Sequence, residues 1–385
     1  MFIFDEPYVS DLLLKTVKKN RYPVLENSFT AGLDTEGLNM LCPERFVDRF
    51  RTKPLIYTNS ENSISWINES LMFSDIIERI DMFKNKGKFR DLLSGMYPEF
   101  YYKEVLFEEL ETLRAKDLQF PFIIKPTVGF FSLGVYYVPD ADSWKGVRER
   151  LINETVKIKD YYPEDVLDSS GFIIEEVIEG IEYAIDGYYD AFGEPVVLNV
   201  LKHMFNGQAD VSDRVYVTSA DIVREVEDKV YKFLRSLSRL AVVKDFPFHL
   251  EVRIDSEGRM VPIEMNPMRF AGWCCTDISV YAHGFVTYEY LMENRKPDWS
   301  EAEKHSGGKV TALCVIEKGA HIDDETLKGF DYDKLAGRFS NVLEIRRTDW
   351  KKYGVFAFVF VQVDSEDSKE LEYILKSDLS EFLIR

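Results

Sequence analysis

Two carboxylates and an amide lie in two strand-like runs that follow one another in the chain, and they are the sharpest chemical feature of the sequence. In FHLEVRIDSEGRMVPIEMNPMRFAGW, residues 248–273, a turn at Ser256, Glu257 and Gly258 separates the two runs. Successive side chains of a strand point to opposite faces, so Leu250, Val252 and Ile254 share one face of the first run and His249, Glu251 and Arg253 the other. In the second run Val261, Ile263 and Met265 oppose Pro262, Glu264 and Asn266. If the two polar faces coincide, Glu251, Glu264 and Asn266 converge with Arg253 and Arg269 close by. Oxygen donors that leave room for water and phosphate are what a hard, reluctantly dehydrated Mg2+ requires. A half-exposed hairpin with a wet polar face has the same pattern. This face, however, leads into the aromatic, cysteine-containing stretch Phe270 to Cys275. For His249 the commoner role, a hydrogen-bonded structural histidine, is the expectation.

Two further stretches could hold a nucleotide. In FPFIIKPTVGFFSLGVYYV, residues 120–138, two apolar strand candidates flank a loop with Gly129, Ser132 and Gly134. Lys125 ends the first strand and is kept extended by Pro126, which disfavours the helical region for its predecessor. A lysine at a strand end beside a glycine loop can reach phosphate oxygens that the loop amides also contact. An ordinary hairpin with a solvated lysine fits as well. In GFIIEEVIEGIEYAIDGYYD, residues 171–190, a strand runs into Glu175, Glu176, Val177 and Ile178, and Gly180 permits a turn before the next strand. The backbone at 175–178 can pair with an adenine edge as an added strand would, and Glu182 can accept ribose hydroxyls. An acidic turn in an acidic protein is the alternative.

IIKPTVGFFSLGV, then EEVIEGIE, then FHLEVRID followed by IEMNPMRFAG, resembles the nucleotide-binding core of the ATP-grasp superfamily, especially its carboxylate-amine ligases. The resemblance covers roughly residues 82–295, and the paired strands ending in IEMNP are its most specific part. It implies that FKNKGKFRDLL carries the first phosphate lysine, mapped onto Lys86 with Lys84 and Lys88 as rivals, and that Lys125 is the second. Asn85 stands where the family often has aspartate, and Phe130 and Phe131 occupy a loop that is often richer in glycine and serine. The resemblance further implies an adenine hinge at Glu175 to Ile178, a ribose acid at Glu182, and a metal set of Glu251, Glu264 and Asn266. Arg269 is similar to the arginine that steadies the transferred phosphoryl or acyl intermediate, and Arg253 lies on the proposed active face. The implied cofactors are ATP and Mg2+, with Mn2+ as a substitute. The implied reaction joins a small carboxylate, for instance an amino acid, to an amine through an acyl-phosphate, with release of ADP and phosphate. A biotin-carboxylase-like enzyme, an activating phosphotransferase and a non-catalytic nucleotide-binding module are the rival readings.

These residues need elements to position them. An α/β (α+β) chain is expected, with a Rossmann-like pre-ATP-grasp domain at 1–90, an ATP-grasp core at 91–300 and a β-rich segment at 301–385. In the first, apolar runs at Met1 to Phe4 and Pro54 to Tyr57 alternate with a helical pattern at Ser63 to Phe73, the signature of a parallel sheet. The segment FKNKGKFRDLLSG reads as one helix closed by Gly95. The last part carries the strand candidates KVTALCVI and VFAFVFVQV and a helix from about Ser368. With 385 residues, 45% of them hydrophobic, the chain can bury two or three adjoining cores. A net charge of −19 argues against a partner held by phosphate-backbone electrostatics, so no nucleic acid is expected. Acids in the first residues and the lack of a long apolar run argue against a signal peptide or a membrane span. Four cysteines without a CxxC pair fit a reduced compartment, and a cytoplasmic enzyme of small substrates, with a homodimer compatible, is expected.

Overall fold

Short apolar runs punctuated by capped helices build a parallel sheet at the N-terminus of the computed structural model, which describes residues 1–127, 135–159, 171–207, 212–319, 322 and 327–385, except for the side chains of 154–159. The strands are β1 (Phe2–Ile3), β2 (Pro23–Leu25), β3 (Asn39–Leu41) and β4 (Tyr57–Thr58), all parallel in the order β3-β2-β1-β4. The parallel sheet expected from the alternation of strand and helix patterns is thus present. Helix α1 (Asp11–Asn20) starts where the Ser10 side chain accepts from the Leu13 amide and stops at Arg21 in the left-handed region. Helix α2 (Pro43–Thr52) opens with proline at its first position, where no amide is needed, and α3 (Ile64–Ser70) falls inside the expected segment.

The chain divides into two compact units, one of residues 1–71, 180–262 and 266–385, the other of residues 72–179 with 263–265. The second unit begins with α4 (Ile76–Lys84) and α5 (Lys86–Leu93). One helix was expected here; Asn85 divides it, because its backbone is extended at ψ 112 and its side chain accepts from the Lys88 amide. Asparagine competes with the helix for its own backbone donors and so favours a cap over a helix interior. Then come β5 (Tyr102–Leu106), β6 (Phe122–Pro126), β7 (Tyr136–Val138), α6 (Ala141–Lys159) and β8 (Gly171–Glu176). The four strands form an antiparallel sheet in the order β5-β8-β6-β7. Phe122, Ile124, Phe172 and Ile174 of this sheet bury against Trp144, Val147 and Leu151 of α6.

In the first unit follow β9 (Ile181–Tyr189), β10 (Pro195–Met204), β11 (Val215–Thr218), α7 (Ala220–Ala241), β12 (Phe246–Ile254), β13 (Met260–Pro267) and α8 (Ile278–His283). The C-terminal part adds β14 (Val310–Glu317), β15 (Gly329–Phe330), β16 (Val342–Arg347), β17 (Val355–Val363) and β18 (Leu383–Ile384). An eight-stranded sheet runs β13-β12-β9-β10-β11-β14-β17-β16, so the β-rich tail extends an existing sheet. Strands β15 and β18 pair separately. Helix α7 buries an apolar stripe of Ile222, Val223, Val226, Val230, Phe233, Leu234 and Leu237 at helical spacing. A core of Phe2, Phe4, Leu13, Val17 and Tyr57 also contains Phe270 and Tyr288. All four cysteines are free thiols, and burial pushes the Cys274 thiol up to about 11. Among the described residues no helix is long and apolar enough to cross a membrane.

Candidate functional site

In the second unit the split at Asn85 decides where the lysines of FKNKGKFRDLL stand. Lys86 occupies the first position of α5, its amide donates to the Thr127 carbonyl at 3.0 Å, and its Nζ lies 3.0 Å from Glu264 Oε2. Lys88 is half-exposed and paired with Asp81, while Lys84 sits in the last turn of α4. Lys125, near the end of β6, is buried, with its Nζ 2.6 Å from Glu175 Oε2. The other oxygen of Glu175 accepts from Arg90 Nε at 2.5 Å. Arg90 also donates to the Ile263 carbonyl at 3.4 Å, and its guanidinium lies 4.4 Å from the centre of the Phe100 ring. Burial alone would raise the Glu175 carboxyl, but Lys125 and Arg90 overcome it and hold it at about 2. Burial, with the nearby charges of Arg90 and Lys86, lowers the Lys125 ammonium although Glu175 raises it. Glu176 points elsewhere: its side chain accepts from the Tyr101 amide at 2.8 Å and ties β8 to the residue before β5. Val177 and Ile178 continue beyond β8. Gly129, Ser132 and Gly134, like Phe130 and Phe131, lie outside the described residues.

In the first unit, strand pairing gathers the polar groups. Antiparallel register sets Glu182 of β9 opposite Arg253 of β12, whose Nε donates to it at 3.0 Å. The second oxygen of Glu182 lies 2.9 Å from His203 Nδ1, and the His203 ring stacks on Tyr216 at 4.2 Å. Burial raises the Glu182 carboxyl, yet the bonds and charges of His203 and Arg253 outweigh it and hold it low. Four residues along, Asp186 faces His249 across the same pair of strands. His249 Nδ1 is 2.7 Å from Asp186 Oδ1, which also accepts from the Ala271 amide at 2.7 Å. His249 Nε2 lies 3.6 Å from Glu251 Oε1. Burial works against the imidazolium, but the two carboxylates prevail and raise His249 to about 9. His249 is thus buried and hydrogen-bonded to Asp186. Arg269 donates through Nε and Nη2 to Glu61 Oε1, at 3.0 and 2.5 Å, and through Nη1 to the Phe270 carbonyl.

The proposed metal set is divided between the two units: Glu251 and Asn266 belong to the first, Glu264 to the second. Glu264 and Asn266 stand two residues apart on β13 and so share a face of that strand. Among the described residues no group of three or more His, Cys, Asp or Glu side chains gathers as a metal site. Two carboxylates and an amide oxygen are hard donors of the kind Mg2+ takes. Several neighbours of the candidate residues escaped sequence reasoning. Arg90 is four residues from Lys86 on α5, a spacing that places both on one helix face and was a usable signal. Asp186, Glu61 and His203 carry no local signal, because each meets its partner through a pairing of separate elements.

Residues 118–277 match the ATP-grasp domain family. No curated protein matches the chain by sequence. Among solved structures, an L-amino acid ligase from Bacillus licheniformis superposes with a TM-score of 0.69 at 17% identity, over 100% of this chain and 97% of that one. N5-carboxyaminoimidazole ribonucleotide synthetase from Thermotoga maritima gives 0.61 at 12% identity, over 99% and 98%. A biotin carboxylase from Campylobacter jejuni gives 0.62 at 11% identity, over 94% and 87%. At these identities the likeness is one of fold.

Proposed function

We propose, from the premise that this chain carries an ATP-grasp domain over residues 118–277, that it is an ATP- and Mg2+-dependent ligase joining a small carboxylate, such as an amino acid, to an amine with release of ADP and phosphate. The observation that carries this reading is the pair of lysines in the second unit. Lys86 and Lys125 come from different elements, and each is held by a carboxylate of the sequence-predicted site, Glu264 and Glu175. Carboxylates hold both ammonium groups in place, and a cation whose position is already fixed needs little reorganisation to meet a phosphate oxygen.

A carboxylate cannot form an amide directly, because its oxygen is a poor leaving group. In the proposed reaction a substrate carboxylate oxygen attacks the γ-phosphorus, the bond to the β,γ-bridging oxygen breaks, and ADP leaves. The amine nitrogen then attacks the acyl carbon, the carbon–oxygen bond to phosphate breaks, and the nitrogen gives up a proton. Phosphoryl transfer of this kind asks the protein mainly to position groups and neutralise charge. Lys86 and Lys125 offset phosphate charge, the 175–178 backbone receives the adenine edge, and Glu182, steadied by Arg253 and His203, accepts ribose hydroxyls. Arg269, anchored by Glu61, offsets charge on the transferred group. Glu251, Glu264 and Asn266 are the proposed Mg2+ ligands, and the ion when bound neutralises charge on the phosphate oxygens.

The test is a trapping experiment with ATP, Mg2+, hydroxylamine and a panel of L-amino acids and small carboxylates. ADP and hydroxamate formed in equal amounts is the expected result. AMP and pyrophosphate would overturn the acyl-phosphate route, because the α-phosphorus would then have been attacked. ADP formed with bicarbonate alone, without hydroxamate, would favour carboxylase chemistry instead.

A further inference from the structure

The turn Gly272–Asp277, which follows Arg269, holds two consecutive non-glycine residues in the left-handed region, Trp273 at φ 55, ψ 26 and Cys274 at φ 55, ψ 30. Side chains with a Cβ avoid this region, so two in succession persist only where the surroundings over-determine them. Here the surroundings include a strand of the C-terminal part. Arg346 of β16 is buried, 5% exposed, and donates through Nη1 to the Trp273 carbonyl at 3.0 Å and the Cys274 carbonyl at 3.2 Å. Its Nη2 reaches Asp277 Oδ2 at 3.0 Å and Glu344 Oε2 at 3.2 Å, and its Nε reaches Glu344 Oε1 at 3.1 Å. The guanidinium also lies over the rings of Tyr8, at 5.3 Å, and Phe360, at 4.9 Å. Tyr281 secures Glu344 and Tyr288 secures Asp277, with hydroxyl bonds of 2.9 and 2.7 Å. Only a planar fork of donors can serve two carbonyls and two carboxylates at once. On the other side of the turn, the Ala271 amide is held by Asp186 at 2.7 Å.

We propose that Arg346 is a positioning residue of the ligase site: from the C-terminal strand it locks the 273–274 turn in its left-handed form, and so fixes the stretch that leaves Arg269, which on the proposed reading faces the group transferred to the carboxylate substrate. The role in catalysis rests on the ligase reading; the backbone lock does not. The test uses Arg346→Met combined with Asp277→Asn, which removes the two fully buried charges and leaves Glu344, partly exposed and held by the Tyr281 hydroxyl, as the remaining carboxylate. Arg346→Lys, which keeps a cation but loses the fork, is the milder second variant. In crystal structures of the variants, Trp273 and Cys274 are expected to leave the positive-φ region. In the hydroxylamine assay with an equimolar mixture of L-amino acids, the half-saturating concentration of the mixture should rise at least about tenfold while that of ATP stays within about twofold. Both residues remaining near φ 55 in the variants would overturn the lock. An equal rise for ATP and amino acids would overturn the positioning role, since general loosening of the fold produces it. If the wild-type protein releases no ADP with any substrate, the ligase reading falls, and the backbone measurement alone decides the lock.

Discussion

Removing the carboxylate of Glu175 while keeping its shape tests the ion cluster at the base of the phosphate-lysine assignment. In Glu175→Gln the two cations Lys125 and Arg90 remain buried side by side without their shared anion. The Glu175 carboxyl stands at about 2, against an ordinary 4.5. At about 1.4 kcal/mol per unit, that depression corresponds to roughly 3 kcal/mol. Breaking a buried pair by deleting one partner gives the same order, about 3–5 kcal/mol. The sign follows from linkage: a depressed carboxyl contributes stability that is fully present above its unfolded value and is lost as pH falls through its folded value. The difference between the two proteins should therefore be about 3 kcal/mol at pH 7 and shrink to roughly 1 kcal/mol at pH 3, where the unfolded chain already binds the proton. Urea unfolding of both proteins at the two pH values, followed by circular dichroism, measures it. A difference below about 1 kcal/mol at pH 7, or one that does not change between pH 7 and pH 3, would refute the reasoning.

Glu264→Gln should leave the circular dichroism spectrum unchanged while ADP release falls at least about 100-fold, the loss typical of a single electrostatic catalytic group. Lys86→Met should weaken binding of a fluorescent ATP analogue at least about tenfold, whereas Lys88→Met, which loses only an exposed pair with Asp81, should alter it by less than about twofold. Equal effects of the two would return the first phosphate lysine to the rivals. Asn85→Ala removes the α5 cap and should cost about 1 kcal/mol in the same urea measurement. Gly180 sits at φ 112, and a Cβ there would come within 2.2 Å of the Ile254 carbonyl. Gly180→Ala is therefore expected to lower the melting temperature more than Asn85→Ala does.

Strand alternation in FHLEVRID was legible because it depends only on neighbours along the chain. Leu250 and Val252 are buried, and Glu251 and Arg253 partly exposed, as a period of two requires. The parallel N-terminal sheet was legible for the same reason. The division of FKNKGKFRDLL was not, since it turns on whether the Asn85 side chain caps a helix or lies within one. The separate β-rich tail was expected because KVTALCVI and VFAFVFVQV come late in the chain. Which sheet they join depends on pairings such as Leu313 with Tyr216, which no local pattern records. The partners of the candidate residues come from other elements, Arg90 for Glu175 and Glu61 for Arg269 from far along the chain, and His203 for Glu182 from the next strand. Of these only Arg90 left a trace in the sequence, its helical spacing from Lys86, and the others depend on pairings that no local pattern records.

The shared core of the first unit bears on how the chain is made. Tyr57 packs against Phe270 and Tyr288, with ring centroids at 5.0 and 5.2 Å, and Phe2 packs against Tyr57. More than 200 residues separate Tyr57 from these partners in the sequence. At translation speeds of about 5–20 residues per second, the apolar face of the N-terminal sheet waits roughly 10–40 s for the side chains that cover it. The second unit, nearly all of it contiguous from 72 to 179, emerges during that interval. Its core, drawn from residues 105–174, is complete in the chain before Phe270 and Tyr288, the late partners of Tyr57, have been made.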